Sequence, residues 1–164
     1  MNIVLIGMPA SGKSTVAREL AKSLRRKAID TDGEIIKEYG DINWIFAELG
    51  EESFRNIETE IIKACAALDK VVISTGGGCI LRRENVNLLK QNGKIVYLSA
   101  GVQTLLKRVK GNSSRPLLAG DAEKKLLALY EKRAPLYESA ADYTVETDGL
   151  TPKQICKKIR ELKI

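Results

Sequence analysis

The sequence predicts an α/β fold, a three-layer α/β/α arrangement around a five-stranded parallel sheet, and three observations carry this. Five short runs rich in β-branched and other apolar residues recur at 2–6, 28–31, 71–74, 94–98 and 143–145. The later runs are each preceded by a stretch with apolar residues three and four apart, the spacing of an amphipathic helix. A glycine-bounded loop follows the first run directly. Strands that alternate with helices are joined by crossovers, and crossovers run the strands parallel.

In chain order, 2–6 is the first strand, and Val16, Leu20 and Leu24 mark the helix after the loop. The second strand, 28–31, runs into Asp30-Thr31-Asp32. Between 51 and 68, Phe54, Ile57, Ile61, Cys65 and Leu68 form a packing stripe, while Glu51, Arg55 and Glu58 fall on a face read as free to bind. The third strand, 71–74, leads into Gly76-Gly77-Gly78. Residues 112–120 lack periodicity and contain Arg115-Pro116, which suggests a mobile loop. Thr151-Pro152-Lys153-Gln154 is a capping-box pattern that opens a closing helix on Ile155, Ile159 and Leu162.

With 164 residues, one domain is expected over 1–164. Hydrophobic residues at 44% and charged residues at 29% belong to a folded chain rather than a disordered one. The apolar runs are too short to span a bilayer and Asn2 leads straight into a strand, so no membrane association and a cytoplasmic location are expected. Cys65, Cys79 and Cys156 form no CxxC pair and the chain has no histidine, which leaves reduced, partly buried thiols rather than zinc ligands. The net charge of +6 is spread along the chain without interleaved aromatics, so anionic small substrates, and no nucleic acid, are expected as partners.

Gly7-Met8-Pro9-Ala10-Ser11-Gly12-Lys13-Ser14 matches GxxxxGK[ST] between a predicted strand and helix, the context that phosphate-binding loop requires. Its glycines let backbone N–H groups turn toward phosphates at a helix N-terminus, and Lys13 adds a full charge. The Ser14 hydroxyl suits Mg²⁺, a hard cation, so Mg²⁺ with ATP is the implied donor.

The motif names no acceptor. At the same sheet edge, Asp30 and Asp32 offer one carboxylate to support the metal through water and another to orient an acceptor hydroxyl, unless they only cap a helix. Gly76 to Gly78 either let a ligand approach the backbone or make a plain turn. Arg55, Arg115 and Arg133 carry planar forks suited to carboxylate or phosphate, although any one alone also reads as a surface charge. Trp44 reads by default as core.

Six motifs in order resemble the shikimate kinase family, with its fold of the nucleoside monophosphate kinase type, over nearly the whole chain. They are 7–15, Ile29-Asp30-Thr31-Asp32, Gly50-Glu51 with Phe54-Arg55 and Glu58, Gly76 to Gly78, Arg115-Pro116-Leu117-Leu118 and Arg133-Ala134-Pro135-Leu136-Tyr137. The resemblance implies ATP-dependent phosphorylation of the shikimate 3-hydroxyl, with Asp32, Lys13 and Arg115 catalytic. It implies that Arg55 and Arg133 grip the shikimate carboxylate, that Asp32 and the backbone of Gly76, Gly77 and Gly78 hold its hydroxyls, and that Glu58 steadies Arg55. Gly7, Ala10, Ser11, Gly12, Lys13, Ser14, Thr15, Arg108 and Arg115 would bind ATP, with Arg108 against the adenine. Ser14 would ligate Mg²⁺ directly and Asp30 through water. A shikimate-binding region at about 32–60, a lid at about 110–122 and a monomer are expected. Ala10 departs from the glycine common at its position, and Arg26-Lys27 from the more apolar residues common before the Asp motif. Another small-metabolite kinase, of the gluconate or nucleotide type, and a regulatory nucleotide-binding protein are the other readings.

Overall fold

The computed structural model describes residues 1–111 and 121–164. Five strands, β1 (Asn2–Ile6), β2 (Lys27–Asp30), β3 (Val71–Ser74), β4 (Gly93–Ser99) and β5 (Tyr143–Glu146), form one sheet in the order β2-β3-β1-β4-β5. Every neighbouring pair is parallel. Each predicted run is a strand, within a residue at either end. The helices are α1 (Lys13–Leu24), α2 (Thr31–Tyr39), α3 (Ile42–Ala66), α4 (Arg83–Gln91), α5 (Val102–Lys110), α6 (Asp121–Ala140) and α7 (Pro152–Glu161), with a 3₁₀ turn at Cys79–Leu81.

Alternation along the strands creates the layers, because successive side chains point to opposite faces. Val4 and Ile6 of β1, Val71 and Ile73 of β3, and Ile95 and Tyr97 of β4 pack with α2 to α6. Ile3 and Leu5, Val72, and Val96 and Leu98 pack with α1 and α7 on the other face. A strand buried on both faces needs no polar positions, which is why these runs read as near-continuous apolar stretches. Each fully buried Leu, Ile or Val contributes about 1.5–3 kcal/mol.

The topology places the site. Adjacent β1 and β3 are followed by helices on opposite faces, α1 on one and α4 on the other. The loops leaving them therefore part over the sheet's carboxyl edge and open a crevice there.

Three expectations are corrected. Thr31 does not end β2: Asp30 caps a helix that begins at Thr31, so Asp32 stands in the first turn of α2. The 51–68 helix is the second arm of α3, which starts at Ile42 and kinks at Gly50 (φ 84°). Trp44, in the first arm, is 55% exposed and is not core. Among the described residues no helix is long and apolar enough to cross a membrane. The predicted capping box of α7 is present, Thr151 Oγ1 accepting from the Gln154 N–H and Gln154 Oε1 from the Thr151 N–H.

Candidate active site

The phosphate loop joins β1 to α1. Gly7 has φ 152°, and a Cβ there would lie 2.8 Å from the Leu98 carbonyl oxygen, so only glycine passes the strand end. Gly12, φ 86°, caps α1 with its backbone, and no acidic residue stands in that helix's first turn to offset the positive end. The Lys13 ammonium folds back over the loop and donates to the carbonyls of Gly7 (2.9 Å) and Met8 (2.8 Å). That holds a charge in place before any phosphate arrives.

Beneath it, the Ser14 hydroxyl donates to Asp30 Oδ2 at 2.5 Å and lies 3.3 Å from Ser74 Oγ. Asp30 Oδ1 accepts from the backbone N–H groups of Asp32 (3.1 Å) and Gly33 (3.3 Å). Asp30 therefore caps α2 and also faces Ser14, so the capping and metal readings do not exclude each other. A hydroxyl and a carboxylate in contact are hard oxygen donors of the kind Mg²⁺ takes while keeping most of its waters.

The glycine loop after β3 explains itself through its neighbours. A Cβ on Gly76 would sit 2.6 Å from Asp32 Oδ1 and 3.2 Å from Glu58 Oε2. One on Gly77 would lie 3.0 Å from Pro9 Cδ and 3.4 Å from Arg133 Nη1, and one on Gly78 only 2.5 Å from both Arg55 terminal nitrogens. Three successive missing side chains thus let Asp32, Arg133 and Arg55 converge. The Gly76 N–H is committed to Thr31 Oγ1 at 3.1 Å, and the Gly77 carbonyl accepts from the Tyr137 hydroxyl at 2.6 Å.

Arg55 and Glu58 do not lie on a solvent face. They are 8% and 1% exposed, and Arg55 Nη1 donates to Glu58 Oε1 at 2.7 Å. The Arg55 guanidinium also lies over the rings of Phe54 (5.2 Å) and Phe46 (5.9 Å). Burial raises the Glu58 carboxyl above its ordinary value, against the opposing pull of Arg55. Among the described residues the Nε atoms of both Arg55 and Arg133 are buried without a hydrogen-bond partner, a costly state for a charged group.

A cavity of about 430 Å³ runs from the phosphate loop past Ser14, Asp30 and Asp32 to Gly77. Thr15 lines it, as does Arg108, whose Nη1 donates to the Ala10 carbonyl at 3.2 Å. Arg115, and the stretch 112–120 of the lid expected at about 110–122, lie outside the described residues, while the two ends of that span are helical, Lys110 closing α5 and Asp121 opening α6. The family model for shikimate kinase matches residues 9–163. The chain belongs to the shikimate kinase family.

Its relatives agree along their length. A shikimate kinase of Caldicellulosiruptor bescii is 45% identical over 160 residues, 96% of this chain and 92% of that protein. One from Francisella tularensis subsp. novicida is 47% identical over 161 residues, again 96% and 92%. Among solved structures, shikimate kinase from Acinetobacter baumannii, in complex with shikimate, aligns with a TM-score of 0.92 at 40% identity, covering 99% of this chain and 92% of that one. Shikimate kinase from Bacteroides thetaiotaomicron aligns at 0.91 with 30% identity, covering 99% and 98%.

Within this shikimate kinase fold the crevice also uses residues to which sequence reasoning assigned no role. Thr31 and Tyr137 hold the glycine loop, and Pro9 and Thr75 line the cavity. Thr31 and Tyr137 stood inside quoted motifs, but their partners lie 45 and 60 residues away and leave no local pattern.

Proposed function

We propose that this chain transfers the γ-phosphoryl group of ATP to the 3-hydroxyl of shikimate. The observation that carries the reading is the convergence of Asp32, Arg55 and Arg133 on consecutive glycines beside the phosphate loop. Two guanidiniums and one carboxylate suit an acceptor with a carboxylate at one end and hydroxyls at the other. The complex of the Acinetobacter baumannii relative with shikimate supports the same acceptor.

In this reading the polyphosphate of ATP lies along Gly7 to Thr15 with Lys13 near the β- and γ-phosphates, and Arg108 flanks the base. Arg55, steadied by Glu58, and Arg133 hold the shikimate carboxylate. Asp32 orients the 3-hydroxyl and takes its proton as that oxygen bonds to the γ-phosphorus and the bond to the β,γ-bridging oxygen breaks, releasing ADP. Ser14, with Asp30 through water, would hold Mg²⁺, which supplies charge neutralisation on the phosphates. Residues 1–164 form a single unit, acting as a monomer, with the acceptor region at 32–60. Positioning and fixed charge supply most of the acceleration, since phosphoryl transfer asks little covalent chemistry of the protein.

A coupled ADP-release assay with Mg·ATP tests this, comparing shikimate, gluconate, nucleoside monophosphates and no acceptor. Turnover with shikimate alone is expected. Turnover with another acceptor instead would overturn the carboxylate clamp while leaving the fold untouched.

A further inference from the structure

We infer that Thr31 and Tyr137 are positioning residues for the acceptor, their hydroxyls clasping the glycine loop from two sides where Asp32, Arg55 and Arg133 converge. The inference rests on the function proposed above and adds to it the groups that hold the clamp in register.

The loop needs such anchors because of what makes it useful. Its lack of side chains creates the space for the three charged groups, and the same lack leaves its backbone with the widest conformational freedom of any residue type. The following 3₁₀ turn holds two of the loop's carbonyls, Gly76 accepting from the Cys79 N–H (3.2 Å) and Gly78 from the Leu81 N–H (3.1 Å). The Gly76 N–H and the Gly77 carbonyl, which take no part in that turn's bonds, are held by side chains from elsewhere in the fold. Thr31 Oγ1 accepts the Gly76 N–H at 3.1 Å, and the Tyr137 hydroxyl donates to the Gly77 carbonyl at 2.6 Å. Both residues are fully buried.

Each anchor is also tied to a charged group that the loop must meet. Thr31 sits between Asp30 and Asp32 in the capped start of α2, so the bond to Gly76 sets the loop against the Asp32 carboxylate. Tyr137 lies four residues, about one helical turn, after Arg133 on α6, and its bond to Gly77 sets the loop against that guanidinium. The Tyr137 ring is itself held by stacking on Tyr97, with centroids 5.2 Å apart, so the hydroxyl is delivered from a fixed base. Burial raises the Tyr137 phenol far above its ordinary value, so it remains a donor across the working pH range.

The test separates positioning from general stability. Tyr137→Phe keeps the ring and removes the hydroxyl; Thr31→Val keeps the shape and removes the acceptor; Thr31→Ser keeps the acceptor. Losing one such bond is expected to raise KM for shikimate about three- to tenfold in Tyr137→Phe and Thr31→Val. KM for Mg·ATP should stay within about twofold, and Thr31→Ser should restore shikimate binding. Calorimetric titration with shikimate should show the same loss of affinity. Equal rises in both KM values, an unchanged shikimate KM, or a Thr31→Ser as damaged as Thr31→Val would each overturn the inference. If Tyr137→Phe does not fold, the two Thr31 variants decide. Wild-type protein that neither binds nor turns over shikimate overturns the proposed function as well, whereas active wild type with unaffected variants overturns only the positioning role.

Discussion

Ala10 sits in the phosphate loop with φ 65°, a left-handed conformation that costs an L-residue about 1–2 kcal/mol. Glycine would remove that strain, but its greater freedom in the unfolded chain returns about 0.4–1 kcal/mol. Ala10→Gly is therefore expected to stabilise the fold by roughly 0.5–1 kcal/mol, read from urea unfolding at 25 °C; a destabilised variant would mean that the loop relaxes around the methyl group. The departure at Ala10 was visible in the sequence, but its strain was not, since φ belongs to the folded loop. Arg55 and Glu58 teach the converse. Their three-residue spacing marks a pair and the sequence reads their face as free to bind, but burial leaves no mark in that spacing. Only the tertiary fold, which lowers that face into the crevice against Gly76 and Gly78, shows that the pair is buried.

At the scale of elements, the glycine loop and α3 depend on each other for space. Gly78 has an ordinary backbone conformation, φ −94°, so its need for glycine comes from the guanidinium beside it rather than from strain. Gly78→Ala should push Arg55 out of its contact with Glu58, raising KM for shikimate about tenfold or more while costing the fold only about 1–3 kcal/mol. Steady-state kinetics beside a thermal melt would check this, and an unchanged KM would mean that Arg55 does not contact the acceptor. The kink of α3 at Gly50 explains why that helix was only half legible. A glycine in left-handed geometry breaks the apolar stripe, so the sequence shows one helix after 50 and leaves the first arm, with exposed Trp44, Phe46 and Leu49, without a readable face. Helix α2 was hidden for another reason: its cap, Asp30, is also the last residue of β2, and strand and helix share the motif.

For the whole molecule, acid should reveal which charges hold loops together. Asp148 accepts from the Gly101 N–H, tying the loop after β5 to the start of α5. The Thr104 hydroxyl and that N–H hold its carboxyl below the ordinary value, so its contribution is present at neutrality and lost as pH falls through the depressed value. The raised Glu58 carboxyl has the opposite sign: its contribution is full at low pH and fades as pH rises through its folded value. The gap in Tm between wild type and Asp148→Asn should therefore be widest near neutrality and close below about pH 4; a gap constant with pH would mean that the carboxylate charge is not involved. The three central strands were the most legible part of the molecule, because strands buried on both faces announce themselves as apolar runs, and β1 followed by its glycine loop also announced the phosphate site. Burial leaves one more mark on this chain. All three of its cysteines lie inside the packed layers, Cys79 wholly so, with burial pushing its thiol up to about 12. The thiolate is the form that reacts, and here it is both scarce and out of reach. Covalent cross-linking between molecules through sulfur must therefore pass through an opened state, so the rate at which an alkylating reagent consumes Cys79 measures how often the segment next to the glycine loop comes apart.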